Sequence, residues 1–224
     1  MIKPIRSRCL GLLITLFIPF YVKAQQSELL NRAQVASIIN DSVKAQFKIS
    51  YPIFRVYKYV DVSGQYYCVL TESIDSIAKN DDGSDDTLHH SIRAIDLKLE
   101  NSRFSKVWEL NDFIEKHDSH ESSIWFWTKF SEFRDVDNDG LVEPIIIYGT
   151  RDDDDIEGGR VKIMIYYKGQ KIAIRHHDSD LDEGRSTDVD KAFYSLPQKL
   201  KEEVNVKIRL MKKADLTIFY DIVL

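Results

Sequence analysis

The stretch Val161-Lys-Ile-Met-Ile-Tyr-Tyr167, Lys168-Gly169, Gln170-Lys-Ile-Ala-Ile-Arg175 decides the class of fold. Two runs rich in β-branched and aromatic residues are separated by two residues, the second a glycine, which is the spacing of a tight β-hairpin. The pattern recurs. Phe54 to Val60 and Tyr66 to Thr71 flank Asp61-Val-Ser-Gly64, and Ile95, Leu97 and Leu99 alternate before Glu100-Asn-Ser102 turns the chain into Phe104 to Leu110. Ile124-Trp-Phe-Trp-Thr-Lys-Phe130 reads as the most aromatic strand, continuing into Phe133, and Val142 to Tyr148 as the next. Residues 73–87 read as a polar loop, and 115–123 is a further polar stretch. The ends change period: Leu29, Leu30, Val35, Ile38, Ile39 and Val43 form a helical stripe over residues 27–47. Leu196-Pro197 opens a second helix carrying Leu200, Val204, Ile208 and Met211. The expectation is an α+β fold, mainly antiparallel β, in which a hairpin-rich sheet has an N-terminal and a C-terminal helix.

Residues 1–24 have the plan of a signal peptide. Lys3, Arg6 and Arg8 form a positive start, Leu10 to Val22 is almost continuously apolar, and Val22-Lys23-Ala24 supplies a cleavage site. A membrane anchor is the rival reading, but a spanning helix needs about 20 apolar residues, and this run is shorter and contains Pro19. Cleavage leaves residues 25–224 as a single β-rich globular domain with no transmembrane segment. It also leaves 27 basic against 36 acidic residues, a net charge near −9, which excludes the basic surface that nucleic-acid binding requires. The expected location is the periplasm or the cell surface. Only Cys68 survives cleavage, within the apolar run Tyr66-Tyr-Cys-Val-Leu70, and it reads as a small buried hydrophobe.

Readable chemistry concentrates in Asp135-Val-Asp137-Asn-Asp139-Gly140-Leu-Val-Glu143. Calcium takes six to eight oxygens, and alternate side chains of a curled loop point to its centre. Asp135, Asp137 and Asp139 fill loop positions 1, 3 and 5, Gly140 permits the sharp bend, the Leu141 carbonyl can serve position 7, and Glu143 closes the shell. A helix–loop–helix hand would place a glutamate at position 12, but Ile146 stands there and strand-like segments flank the loop. The stretch Phe133 to Glu143 thus resembles the strand–loop–strand calcium sites of FG-GAP and VCBS-type extracellular repeats. The alternative is a solvated acidic turn.

Weaker signals point several ways. Asp152 to Asp155 with Glu157, and Asp178-Ser-Asp180-Leu-Asp182, could extend the ion site or bind a second calcium, but neither has the position-6 glycine, so they read as solvated loops. The histidines, in the groups His89-His90, His117 with His120, and His176-His177, read as surface residues without an identifiable metal set. Trp125 and Trp127 fall on one face of a strand, where they either stack on sugar rings or pack in the core. No serine elbow, zinc helix, phosphate loop or paired-cysteine motif is present, so no catalytic residues are assigned.

On a larger scale, the chain resembles a family of exported Gram-negative proteins labelled surface polysaccharide biosynthesis. The matching stretches are Tyr51-Pro-Ile-Phe-Arg-Val-Tyr57, Tyr67-Cys-Val-Leu-Thr-Glu72, Lys106-Val-Trp-Glu109, Ser123-Ile-Trp-Phe-Trp-Thr-Lys129, the Asp loop, Tyr148-Gly-Thr150, Gly159-Arg-Val-Lys-Ile163, Tyr166 to Arg175 and Val189-Asp-Lys-Ala-Phe193. The resemblance implies a cell-envelope setting with a polysaccharide or an envelope protein as partner. With the Asp loop and no catalytic template, the expected role is a non-enzymatic binding or accessory factor in surface polysaccharide assembly that contains structural Ca2+. A carbohydrate-active enzyme using acidic residues is the alternative.

Overall fold

The computed structural model describes residues 27–79, 83–114, 121–152, 159–179 and 181–219. The expected signal peptide, His117, His120, Asp180 and the acidic run 153–157 lie outside the described residues. Among the described residues, thirteen strands and three α-helices make a mixed α+β fold dominated by antiparallel sheet, with helices at both ends. Every strand pairing among the described residues is antiparallel.

The hairpins divide over two sheets. In the first, β1 (Glu28–Leu29), β2 (Ile53–Asp61), β3 (Gly64–Glu72), β6 (Ser91–Glu100) and β7 (Arg103–Phe113) lie in that order. In the second the order is β13 (Ser186–Val189), β12 (Gln170–His177), β11 (Arg160–Tyr167), β10 (Glu143–Asp152) and β8 (Glu121–Phe126), with β9 (Glu132–Arg134) also on β10. The expected β11–β12 hairpin forms, its turn residues Lys168 and Gly169 both at positive φ (48° and 79°), as a twist-matched two-residue turn requires.

Three apolar layers hold the sheets and helices together. Between the sheets, Tyr57, Tyr66, Cys68 and Leu70 meet Ile124, Phe126, Ile146, Tyr148 and Met164. On the outer face of the second sheet, Ile145, Ile147, Ile163 and Ile174 pack against Leu200, Val204, Ile208 and Met211 of α3 (Gln198–Lys213). On the outer face of the first, Val56, Val69, Ile95 and Leu97 are covered by the N-terminal segment. Central strands therefore bury both faces, which is why β3 is buried from Tyr66 to Glu72. Cys68 lies in the inter-sheet layer with no exposure, and burial pushes its thiol pKa well up.

Three sequence expectations are corrected. The N-terminal stripe is not one helix but β1, α1 (Arg32–Ile38) and α2 (Asp41–Gln46), because Asn31 and Asn40 each cap a new start. The polar segment 73–87 is not all loop. Its described part forms a small hairpin of β4 (Ser76–Lys79) and β5 (Asp85–Leu88). The polar stretch 115–123 likewise ends in strand, since β8 already begins at Glu121. Finally, the aromatic strand stops at Phe126: residues 127–131 make a turn opposite only Ile146 and Ile147, and the Ser131 hydroxyl takes the Ile147 N–H at 3.0 Å in place of a ladder carbonyl.

Candidate metal centre

The acidic loop is the connection of a strand pair. Asp135 directly follows β9, Glu143 begins β10, and Glu143 stands opposite Arg134 in the register. Both ends are anchored by apolar side chains. Val136 is buried beneath α3 and Val142 in the inter-sheet layer. Salt bridges from α3 fix the incoming strand: Lys207 Nζ lies 2.7 Å from Glu132, and Arg134 2.8 Å from Glu203.

Within the loop the carboxylates organise the backbone. Asp135 Oδ1 accepts the Asn138 N–H at 2.7 Å, and its Oδ2 accepts the Gly140 N–H at 3.0 Å. Asp137 accepts the Asp139 N–H at 3.1 Å, Asp139 that of Leu141 at 2.9 Å, and Glu143 that of Val136 at 2.7 Å. Asn138 (φ 67°) and Gly140 (φ 92°) adopt the left-handed conformations that let the chain curl.

One oxygen from each of Asp135, Asp137, Asp139 and Glu143 lies within 4.8 Å of the others. Ca–O bonds of about 2.3–2.6 Å place oxygens on opposite sides of an ion roughly 5 Å apart, so this set fits around one cation. Glu143 is only 1% exposed, and burial pushes its carboxyl up to about 7, with the three aspartates adding to the rise. A divalent cation would relieve both penalties. Two cations already lean on the rim. Lys168 Nζ lies 2.8 Å from Asp139 and lowers its pKa, and Lys199 Nζ reaches the Asp137 carbonyl at 3.4 Å. Leu141 is half-buried in the loop and gives its N–H to Asp139.

The tryptophans are close, with ring centroids 6.0 Å apart at 44°, but they do not form an open platform. Trp127 is 5% exposed in the layer under α3, so the packing explanation holds for it and it has no face to offer a ligand. Trp125 is half-buried and lines a cleft. The acidic stretch near Asp178 is not solvated at that residue. Asp178 is 1% exposed and bonds His176, itself buried rather than on the surface, at 2.8 Å. The sequence reading missed Glu72 and His89, which meet across the same cleft as Trp125. A carboxylate two residues beyond the apolar run Tyr66 to Leu70, on a strand buried to its end, was the available signal.

Compared with known proteins, the chain matches no family model, no curated protein and no solved structure.

Proposed function

We propose that Asp135, Asp137, Asp139 and Glu143 hold one calcium ion as a structural clip in an exported cell-envelope protein. In this reading the protein is a non-enzymatic binding or accessory factor in surface polysaccharide assembly. The observation that carries the clip is the convergence of four carboxylates within 4.8 Å, one of them almost wholly buried. Calcium is preferred to a smaller ion because a loop offering four carboxylates and a backbone carbonyl, all hard oxygen donors, suits its larger, less regular shell.

A clip fits the position of the loop. The β2–β3 turn, the β11–β12 turn and the start of α3 all touch it, so an ion there would couple both sheets and the helix. Export is supported by the layout of residues 1–24, and calcium outside the cytoplasm is plentiful enough to fill a weak site. The assembly role rests on the family resemblance.

Metal analysis of the protein purified from calcium-containing buffer tests the clip. About one calcium per chain is expected, falling to none in Asp135→Asn, Asp139→Asn. Wild-type protein without stoichiometric calcium would defeat it. Export is tested separately by fractionating cells that produce the full-length chain, where retention in the cytoplasm would defeat that part.

A further inference from the structure

Away from the acidic loop, the connector before β6 crosses to the edge of the second sheet at β8. The Ile124 N–H donates to the His89 carbonyl at 2.8 Å, and the His89 N–H donates to Ser123 Oγ at 3.0 Å. A cleft of about 290 Å³ opens here, with Phe54, Glu72, His89, Ser123, Trp125 and Arg151 in its walls. That volume is near the lower end of small-molecule sites, enough to take one ring.

Glu72 and His89 face each other inside it. Glu72 ends β3, and its Oε1 accepts the Phe126 N–H at 2.9 Å. Burial raises its carboxyl pKa, while the Phe126 N–H, His89 and Arg55 pull it back down. His89 Nδ1 bonds the Ser73 carbonyl, which can only accept, so Nδ1 carries the hydrogen. Nε2 is then the ring nitrogen nearest Glu72, 3.6 Å from its Oε2. That separation is too long for a direct hydrogen bond and leaves room for an outside group to bond each atom. Vicinal hydroxyls serve both at once, because a hydroxyl can donate to the carboxylate and either donate to or accept from the ring nitrogen.

The remaining wall suits the same ligand. Trp125, half-buried and packed on the layer under α3, lines the cleft and brings indole surface of the kind on which C–H patches of a sugar ring stack. Arg151 is bound to Asp86 through one guanidinium nitrogen at 3.2 Å and brings further donors to the rim. With Glu72 and Asp86 against one arginine, the cleft does not favour an acidic sugar.

We propose that this cleft binds one uncharged pyranose ring, with vicinal hydroxyls hydrogen-bonded to Glu72 and His89 and its apolar face on Trp125. It deepens the glycan-binding part of the proposed function and is independent of the cation loop.

The test is to titrate the full-length protein with glucose, galactose, mannose and N-acetylglucosamine, with glucuronate for comparison. Binding is read by intrinsic tryptophan fluorescence and by saturation-transfer NMR. At least one neutral sugar should bind saturably, with a dissociation constant on the order of 1 mM, and more tightly than glucuronate. Glu72→Gln should weaken it about tenfold, Trp125→Ala should abolish it, and Arg209→Gln on the exposed side of α3 should leave it unchanged. Circular dichroism checks each variant, and Glu72→Gln decides if Trp125→Ala does not fold. No saturable binding by any of the four, or binding unchanged by both cleft substitutions, would overturn the proposal. Either failure would leave the calcium content of the protein as it was, so the two readings fail separately.

Discussion

The backbone N–H of Val62 donates to the Gly140 carbonyl at 3.0 Å, joining the turn between β2 and β3 to the acidic loop that leads into β10. Asp61 reinforces the contact by accepting the Val142 N–H at 3.3 Å. One sheet thereby holds the acidic loop of the other in place.

Gly140→Ala tests that contact. A β-carbon at Gly140 would stand 2.9 Å from Val62 Cγ1, on a backbone at φ 92° that side chains rarely adopt. The expected loss is about 1–3 kcal/mol in urea unfolding. Adding Val62→Ala should restore the steric part and leave the backbone part.

Lys168 predicts an opposite effect on affinity. Its ammonium lies 2.8 Å from Asp139 Oδ2, beside the group that would ligate a cation. Lys168→Gln removes this positive charge and should tighten calcium binding by a small factor, about two- to fivefold, in a calorimetric titration at low salt. Weaker binding in the variant would show that the lysine supports the site.

Much of this was legible in the sequence where contacts are local. The β11–β12 hairpin, the stripe of α3 and the acidic loop each need only neighbouring residues. What escaped depends on distant packing. Asp96 sits between Ile95 and Leu97, and an alternating strand would turn it to solvent, but a second sheet covers that face. Glu72 and His89 become partners only when β3 and the β5–β6 connector are brought to β8. Trp127 left the strand pattern because a serine hydroxyl four residues later replaced a backbone partner.

Asp96 gives a pH prediction. It has no exposure, its Oδ2 accepts the Tyr59 hydroxyl at 2.8 Å, and its Oδ1 has no partner among the described residues. Burial pushes its carboxyl up to about 7, against the Tyr59 bond that lowers it and with Asp61 adding a little. A folded-state pKa raised above the unfolded value of about 3.9 gives stability that is whole below that value and is lost as the pH rises through 7. Asp96→Asn should therefore be more stable than wild type by a few kcal/mol at about pH 8. At about pH 4 the gain should nearly vanish. Urea midpoints across that range check it, and a gain independent of pH would contradict it.

Asp178 should matter to the C-terminal end. Its Oδ1 takes both His176 Nε2 and the Ile218 N–H at 2.8 Å, and the Phe219 ring stacks on His176 at 4.0 Å. Asp178→Ala leaves the buried His176 ring and the part-buried Ile218 N–H without that partner, and a loss of about 2–4 kcal/mol is expected. Thermal unfolding measures it, and hydrogen exchange at Ile218 should accelerate well beyond that of β10.

The calcium dependence of thermal unfolding tests the clip most directly. With free calcium at about 100 times its dissociation constant, one bound ion adds ~2.7 kcal/mol. The melting temperature should then rise by about 5–10 °C over chelator-treated protein. Asp135→Asn, Asp139→Asn should abolish the shift. A wild-type melting temperature unchanged between chelator and millimolar calcium would contradict the account.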